Sequence, residues 1–310
     1  MILLEPLDAE ATISTTQILE TIDRHANSTA LILLPGVQFY TGQYLDIETI
    51  THHAHLRNIL IGWDCAHAAG NVQLALHDWN VDFAVWCTYK YLNSGPGAIA
   101  ALFVHERHGR VDMAASVAYG EQYRPRLCGW WGADKHTRFD MENSELNLDV
   151  CPAKLQPQER LTTTAADFVP RPGASGYQLS NPSILDLTAV IASLQVFHLT
   201  IMSKLRQKSV SLTAYLETLL KAHSGSLQVL EILTPEDPAQ RGAQLSLKLK
   251  PGLLGPVMME LEANGVMVDE RKPDVIRVAP APLYNSFEDV WQFCNIFKNA
   301  CSKHAVGAGT

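Results

Sequence analysis

The sequence predicts an α/β fold: a mainly parallel sheet in its first part and a smaller α+β unit in its second. Three observations carry this. Short apolar runs (TALILLP, ILIGWD, DFAVWCTY and IAALFVH) read as buried strands of a parallel sheet. Stretches with helical spacing precede or separate the first of them, the alternation expected of a parallel α/β sheet. After a polar interruption, shorter strands and helices follow on a different rhythm.

In chain order, STTQILETIDRHA offers Ser14 or Thr15 as a cap ahead of Ile18, Leu19 and Ile22 at helical spacing. TALILLP is then a strand stopped by Pro35-Gly36, and DIETITHHAHLRN a helix capped by Asp46. ILIGWD, DFAVWCTY and IAALFVH complete the sheet. Residues 134–175 are polar, with Pro152, Pro157, Pro170 and Pro172 and little periodicity, so they read as a long loop or insertion. Asn181-Pro182 opens a long helical region reaching about Lys221, with Asn181 a candidate N-cap. LQVLEIL, GAQLSLKL and VIRVAP are strands of the second unit, and GPVMMELEANG and FEDVWQFCNIFKNA its helices. Expected boundaries are 1–180 for the large unit, 181–300 for the small unit with its linking helix, and 301–310 for a frayed tail.

The chain has 310 residues, 47% hydrophobic and 18% charged, with a net charge of −8. That acidity argues against nucleic acid as a partner, because phosphate binding needs a basic face. No apolar run approaches the roughly 18 residues a membrane span requires, and MILLEPLDAE has no secretory pattern. The most apolar window, LTAVIASLQVFHLTIM, is broken by Ser, Gln and His and reads as a buried helix. The six cysteines form no CxxC pair and no regular framework, which suits a reducing, cytoplasmic setting.

The chemistry-bearing stretch is 59–97. ILIGW delivers Asp64 and DFAVWCTY delivers Lys90, each at the end of an expected strand, where α/β sheets place ligands. An acid and a lysine so placed suit pyridoxal phosphate, which needs a Schiff-base lysine and an acid on its pyridine nitrogen. By charge alone such a pair is usually a solvated pair or a cap. His67 could stack near a ring, Tyr89 precedes the lysine, and NSGPG is a flexible turn with room for a bulky adduct. His52 and His55 share a helix face, but nothing completes a metal set, so an exposed face is expected. Cys65 should point away from Asp64 and pack.

LPGVQFYTGQ, GWDCAHAAGNVQLALHDWNVDFAVWCTYKYLNSGPGAIAALFVHE, the GWWG at Gly129, QLSNPSI and VIRVAPAPLYNSFEDV together closely resemble kynureninase, with the insertion looking like the fungal branch. The resemblance implies a pyridoxal-phosphate enzyme of the aspartate-aminotransferase fold type (fold type I) that hydrolyses L-kynurenine or 3-hydroxykynurenine. It implies that Lys90 anchors the cofactor and shuttles the Cα proton. It implies that Asp64 keeps the pyridine nitrogen protonated, His67 lies against the cofactor, and Tyr89 bonds its phosphate and assists proton transfer. Arg277 would hold the substrate α-carboxylate. Trp130 and Asn181 match positions that reach the site from a partner subunit, toward the phosphate and the substrate, which implies a homodimer. Without the family, Tyr89 and Trp130 read equally as core aromatics, and Arg277 as paired with a structural carboxylate.

The chain departs from the family in one respect. Nothing before Leu31 supplies a phosphate-cupping turn or an aromatic that stacks on the pyridine ring, and part of the sheet is missing. An unpaired edge, exposed apolar surface and little or no activity of the isolated chain are therefore expected. Two other classes fit: a cysteine desulfurase or class V aminotransferase, with Cys151 as the sole candidate loop thiol, or a non-catalytic dimer-forming remnant.

Overall fold

A computed structural model describes residues 1–7, 10–113, 115, 122–127, 129–136, 138–139, 169–224 and 230–305. The first sheet has strands β1 (Leu31–Pro35), β2 (Leu60–Asp64), β3 (Phe83–Cys87) and β4 (Ala100–Val104), in that spatial order. β1–β2 and β2–β3 pair in parallel, while β4 runs antiparallel to β3. The expectation of a mainly parallel sheet holds with this antiparallel edge: residues 88–99 form a turn without the crossover helix that usually returns a chain to a parallel strand.

Two helices cover one face. α1 (Thr15–His25) starts at Ser14, whose hydroxyl accepts from the Gln17 amide at 3.1 Å. α2 (Ile47–Leu56) starts at Asp46, whose carboxylate accepts from the Thr49 amide at 3.0 Å. Ile18 and Ile22 of α1 and Ile47, Ile50 and Ala54 of α2 pack on Leu34, Ile61, Trp63 and Ala84. The buried Trp63 indole donates to Thr51 Oγ1 at 3.0 Å, so its one polar group is satisfied. The opposite face is open. Leu31, Leu33, Val85 and Leu102 alternate outward from it and are 38–59% exposed. β1, unpaired on its outer side among the described strands, is the expected open edge.

At the starts of β2 and β3 the carboxylate of Asp82 is buried. It accepts from the Ile61 amide at 2.8 Å, from His55 Nε2 at 2.9 Å, and from Arg107 and His108 of α3 (Glu106–Gly109). Burial alone would raise its pKa; the bonds from His108, His55, Ile61 and Arg107 outweigh that and hold the carboxyl well below the usual range. His55 is therefore a structural ligand of Asp82 rather than part of an exposed face, and His53 pairs with Asp23 at 2.8 Å.

The described ends of the polar 134–175 segment meet, and the expected loop between them, 140–168, lies outside the described residues. Ala133 bridges Pro170, and the Asp134 amide donates to Val169 O at 2.8 Å. α4 (Ile184–Phe197) is capped by Ser183, not Asn181: the Ser183 hydroxyl accepts from the Asp186 amide at 3.4 Å. The helix is not buried as expected from its hydropathy. Ile184, Leu185, Ile191 and Leu194 lie open, while Ser193 on the inner side donates to Leu92 O. An 80° bend separates it from α5 (Met202–Ser224). Among the described residues no single helix is long and apolar enough to cross a membrane.

The second sheet is wholly antiparallel, ordered β5 (Leu230–Ile232), β6 (Leu245–Leu249), β8 (Val275–Val278) and β7 (Asp269–Arg271). The short β7 (DER) has no hydrophobic alternation to announce it. α5, α6 (Leu254–Ala263) and α7 (Phe287–Ala305) enclose Leu212, Leu216, Leu247, Val257, Ile276 and Phe297. α7 runs through the expected tail as far as Ala305, because Cys301 packs into this core.

A polar seam joins the units at residues 39–44. Thr234 Oγ1 donates to Thr41 O at 2.5 Å, Gln244 Nε2 to Phe39 O at 3.1 Å, and the Gly242 amide to Gly42 O at 3.1 Å. Gly42 has φ +77°, and a Cβ there would sit 2.9 Å from Gln244 O, so only glycine fits this approach.

Candidate active site

The site lies where β2 and β3 end and the second sheet comes up against the seam. Asp64, the last residue of β2, projects to the open side with Val85 and Pro35 as its register partners. Its Oδ1 accepts from the Ala66 amide at 2.9 Å, an Asx turn that fixes the carboxylate at the strand end. Cys65 points the other way, fully buried beside Gly36, and burial pushes its thiol up to about 12. It packs, as its parity predicts.

His67 follows one turn on. Its Nδ1 is buried without a hydrogen-bond partner among the described residues, and its ring meets Tyr91 edge-on at 6.2 Å. Burial, then the positive charges of Lys90, Arg277 and Arg271, lower its pKa to about 3. The imidazole is neutral at physiological pH. Asn71 steadies this turn: its Nδ2 donates to His67 O at 2.9 Å, while its Oδ1 accepts from the Ala243 amide of the second unit at 2.9 Å.

Lys90 stands three residues beyond β3, half-buried, with Nζ 5.8 Å from the Tyr89 ring centroid. Tyr89 itself is 48% exposed. Asn93, Gly95 and Gly97 all take positive φ, giving the turn after Lys90 the room expected of NSGPG. From the second unit, Arg277 on β8 reaches across the seam. Its Nη1 donates to Phe39 O at 2.8 Å, its Nη2 bonds Asp269 Oδ2, and its Nε is buried without a partner among the described residues. Burial lowers its pKa, and Tyr91, itself pushed up to about 12 by burial, stands nearby.

Asp64, His67, Lys90 and Arg277 thus share one region. Among the described residues, no contact brings Trp130 or Asn181 to it. The Trp130 indole donates to Arg138 O at 2.7 Å and its ring meets Phe139 edge-on, while Asn181 lies exposed ahead of α4. Sequence reasoning passed over Asn71, Tyr91, Asp269 and Arg271. Asn71 and Tyr91 gave only the signal of lying beside His67 and Lys90, and Asp269 and Arg271 gave none until β7 paired with β8. Cys151, the loop thiol a desulfurase would need, lies outside the described residues.

Comparison with known proteins shows what the chain is similar to. Kynureninase 1 of Aspergillus oryzae is 59% identical over 307 residues, covering 98% of this chain and 58% of that protein. The kynureninase of Coccidioides immitis is 58% identical over 310 residues, covering 98% and 59%. Over nearly its whole length the chain is similar to these fungal kynureninases. It spans a little under three fifths of the length of these relatives. The kynureninase C-terminal domain family matches residues 205–297, and the class V aminotransferase family residues 2–125. Among solved structures, a cysteine desulfurase from Thermococcus onnurineus has a TM-score of 0.68 at 13% identity, covering 92% of this chain and 63% of that one. Alanine–glyoxylate aminotransferase from Nostoc has a TM-score of 0.60 at 15% identity, covering 93% and 65%. At such identity the likeness shows the fold alone.

This chain's own residues fit the pyridine half of pyridoxal phosphate. A carboxylate and a lysine stand at the ends of neighbouring parallel strands, and a neutral imidazole with an unpartnered buried nitrogen lies close to the lysine.

Proposed function

We propose that this chain carries the ring-binding and substrate-carboxylate half of a kynureninase site. The reaction is pyridoxal-phosphate-dependent hydrolysis of L-kynurenine, or 3-hydroxykynurenine, to anthranilate, or 3-hydroxyanthranilate, and L-alanine. The observation that carries this is the convergence of Asp64, His67, Lys90 and Arg277 from two units in a chain 54–59% identical to fungal kynureninases. The setting is cytoplasmic tryptophan catabolism feeding NAD biosynthesis, and the assembly a homodimer in which Trp130 and Asn181 serve the partner's site.

Pyridoxal phosphate, when bound, supplies an electron sink for charge developing on the substrate's carbon atoms. This chain's residues do the rest. Lys90 anchors the cofactor and moves the proton at the substrate Cα. Asp64 holds the proton of the pyridine nitrogen, which sustains the sink. His67, neutral, lies against the ring without adding charge. Tyr89 bonds the phosphate and assists proton transfer. Arg277, with Nε unsatisfied, takes the α-carboxylate, a task suited to a planar guanidinium. Water is consumed in breaking the Cβ–Cγ bond, so the acyl carbon leaves as the anthranilate carboxyl and Cβ becomes the alanine methyl.

The test is incubation of the purified chain with pyridoxal phosphate, then borohydride and peptide mapping, with anthranilate release followed by its fluorescence. A reduced adduct on Lys90, abolished in Lys90→Ala, is expected, with little or no anthranilate formed by this half-site alone. An adduct on another lysine, or cysteine turnover without kynurenine turnover, would overturn the reading.

A further inference from the structure

Arg277 already carries a carboxylate. Asp269 stands opposite it in the β7–β8 register, and Asp269 Oδ2 accepts from Arg277 Nη2. An anion already on a guanidinium repels a second one, so this contact should weaken any substrate carboxylate docking there. Two further observations alter that. Asp269 Oδ1 also accepts from Arg271 Nη1 at 2.7 Å, so one carboxylate is shared by two guanidinium groups and a single positive charge remains. The Phe39 carbonyl and Asp269 hold the two outer nitrogens of Arg277, leaving its buried Nε without a partner among the described residues. The Arg277 side chain is only 10% exposed, whereas that of Arg271 is 36% exposed on the edge strand.

We propose that Asp269 and Arg271 are a positioning pair for the α-carboxylate site. Asp269 fixes the plane of the Arg277 guanidinium so that Nε faces the ligand, and Arg271 neutralises Asp269 so that the ligand is not repelled. The proposal rests on the reading of Arg277 as the carboxylate-binding residue of a kynurenine site. It makes a prediction that simple loss of structure does not: removing the cation should weaken binding, and then removing the anion as well should restore it.

The experiment measures binding of L-kynurenine to the full chain, without added pyridoxal phosphate, by equilibrium dialysis. It compares the unaltered chain with Arg271→Gln, Asp269→Asn, the double variant and Arg277→Gln. Kynurenamine, which lacks the carboxylate, is the second probe. Arg271→Gln should weaken L-kynurenine about tenfold, the scale of one charge–charge interaction near a protein surface. Asp269→Asn in that background should recover most of the loss, because the amide oxygen still accepts from Arg277 without repelling the ligand. Kynurenamine binding should be unchanged by either substitution. A double variant no better than Arg271→Gln, or equal losses for the two probes, overturns the positioning pair. Loss of binding in Arg277→Gln with none in Arg271→Gln overturns the pair while leaving the kynurenine reading intact. No binding by the unaltered chain, or full binding by Arg277→Gln, overturns both.

Discussion

The two sheets solve burial differently. In the second, residues alternate as in an antiparallel sheet with one packed face: Leu245, Leu247 and Ile276 are fully buried under three helices, while Lys248 and Arg277 point elsewhere. In the first, both faces are apolar, and only the side of Ile61 and Trp63 is covered; Leu33, at 59% exposure, is open. The first unit compensates at its base with the buried Asp82 hub, and its strand ends carry Asp64 and Lys90. The second unit is scaffold that delivers one guanidinium. Both units have an apolar core, and the first adds a buried polar hub at its base, so the two should respond differently to the same kinds of change.

The largest effect should come from breaking the hub. Asp82→Ala leaves His55, His108 and Arg107 clustered without their anion and should cost about 3–5 kcal/mol, measured by urea denaturation. A loss below 1 kcal/mol would mean that the hub is incidental. Next, Leu247→Ala should cost about 2–5 kcal/mol through its cavity, whereas Leu33→Thr on the open face should stay within about 0.5 kcal/mol. Equal costs at the two leucines would erase the contrast between the sheets.

The smallest effect is in the pH profile. His67 has its pKa lowered from 6.5 to about 3, so the unfolded chain takes up a proton that the folded chain refuses. Stability should therefore fall as pH drops below about 6.5, until about 3. His67→Asn should flatten part of that slope in thermal melts between pH 6.5 and 4, while the decline from Asp82, whose pKa is also lowered, persists further into acid. An unchanged slope would show that His67 is solvated.

Much of the fold was legible because strand runs and helix caps are local. Ser14 and Asp46 cap where their side chains can reach the first turn, and ILIGW and FAVWC are strands whatever surrounds them. The failures were non-local. α4 has the hydropathy of a buried helix and lies open, since hydropathy records an affinity for burial and not the presence of a cover. β4 runs antiparallel because residues 88–99 turn back without a crossover helix, which no local pattern announced. β7 has too few apolar residues to be seen until its neighbour pairs with it.

The sequence by itself determined the α/β class, the two strand-end residues Asp64 and Lys90, and the resemblance to kynureninase, because each is written in contiguous residues. Only the tertiary structure decided what surrounds them. Asp269 and Arg271 come to Arg277 by strand pairing, Arg277 comes to His67 across a seam more than 200 residues apart in sequence, and Asp82 meets partners from three elements. Charges separated along the chain acquire their pKa values and partners only when packing removes the water between them.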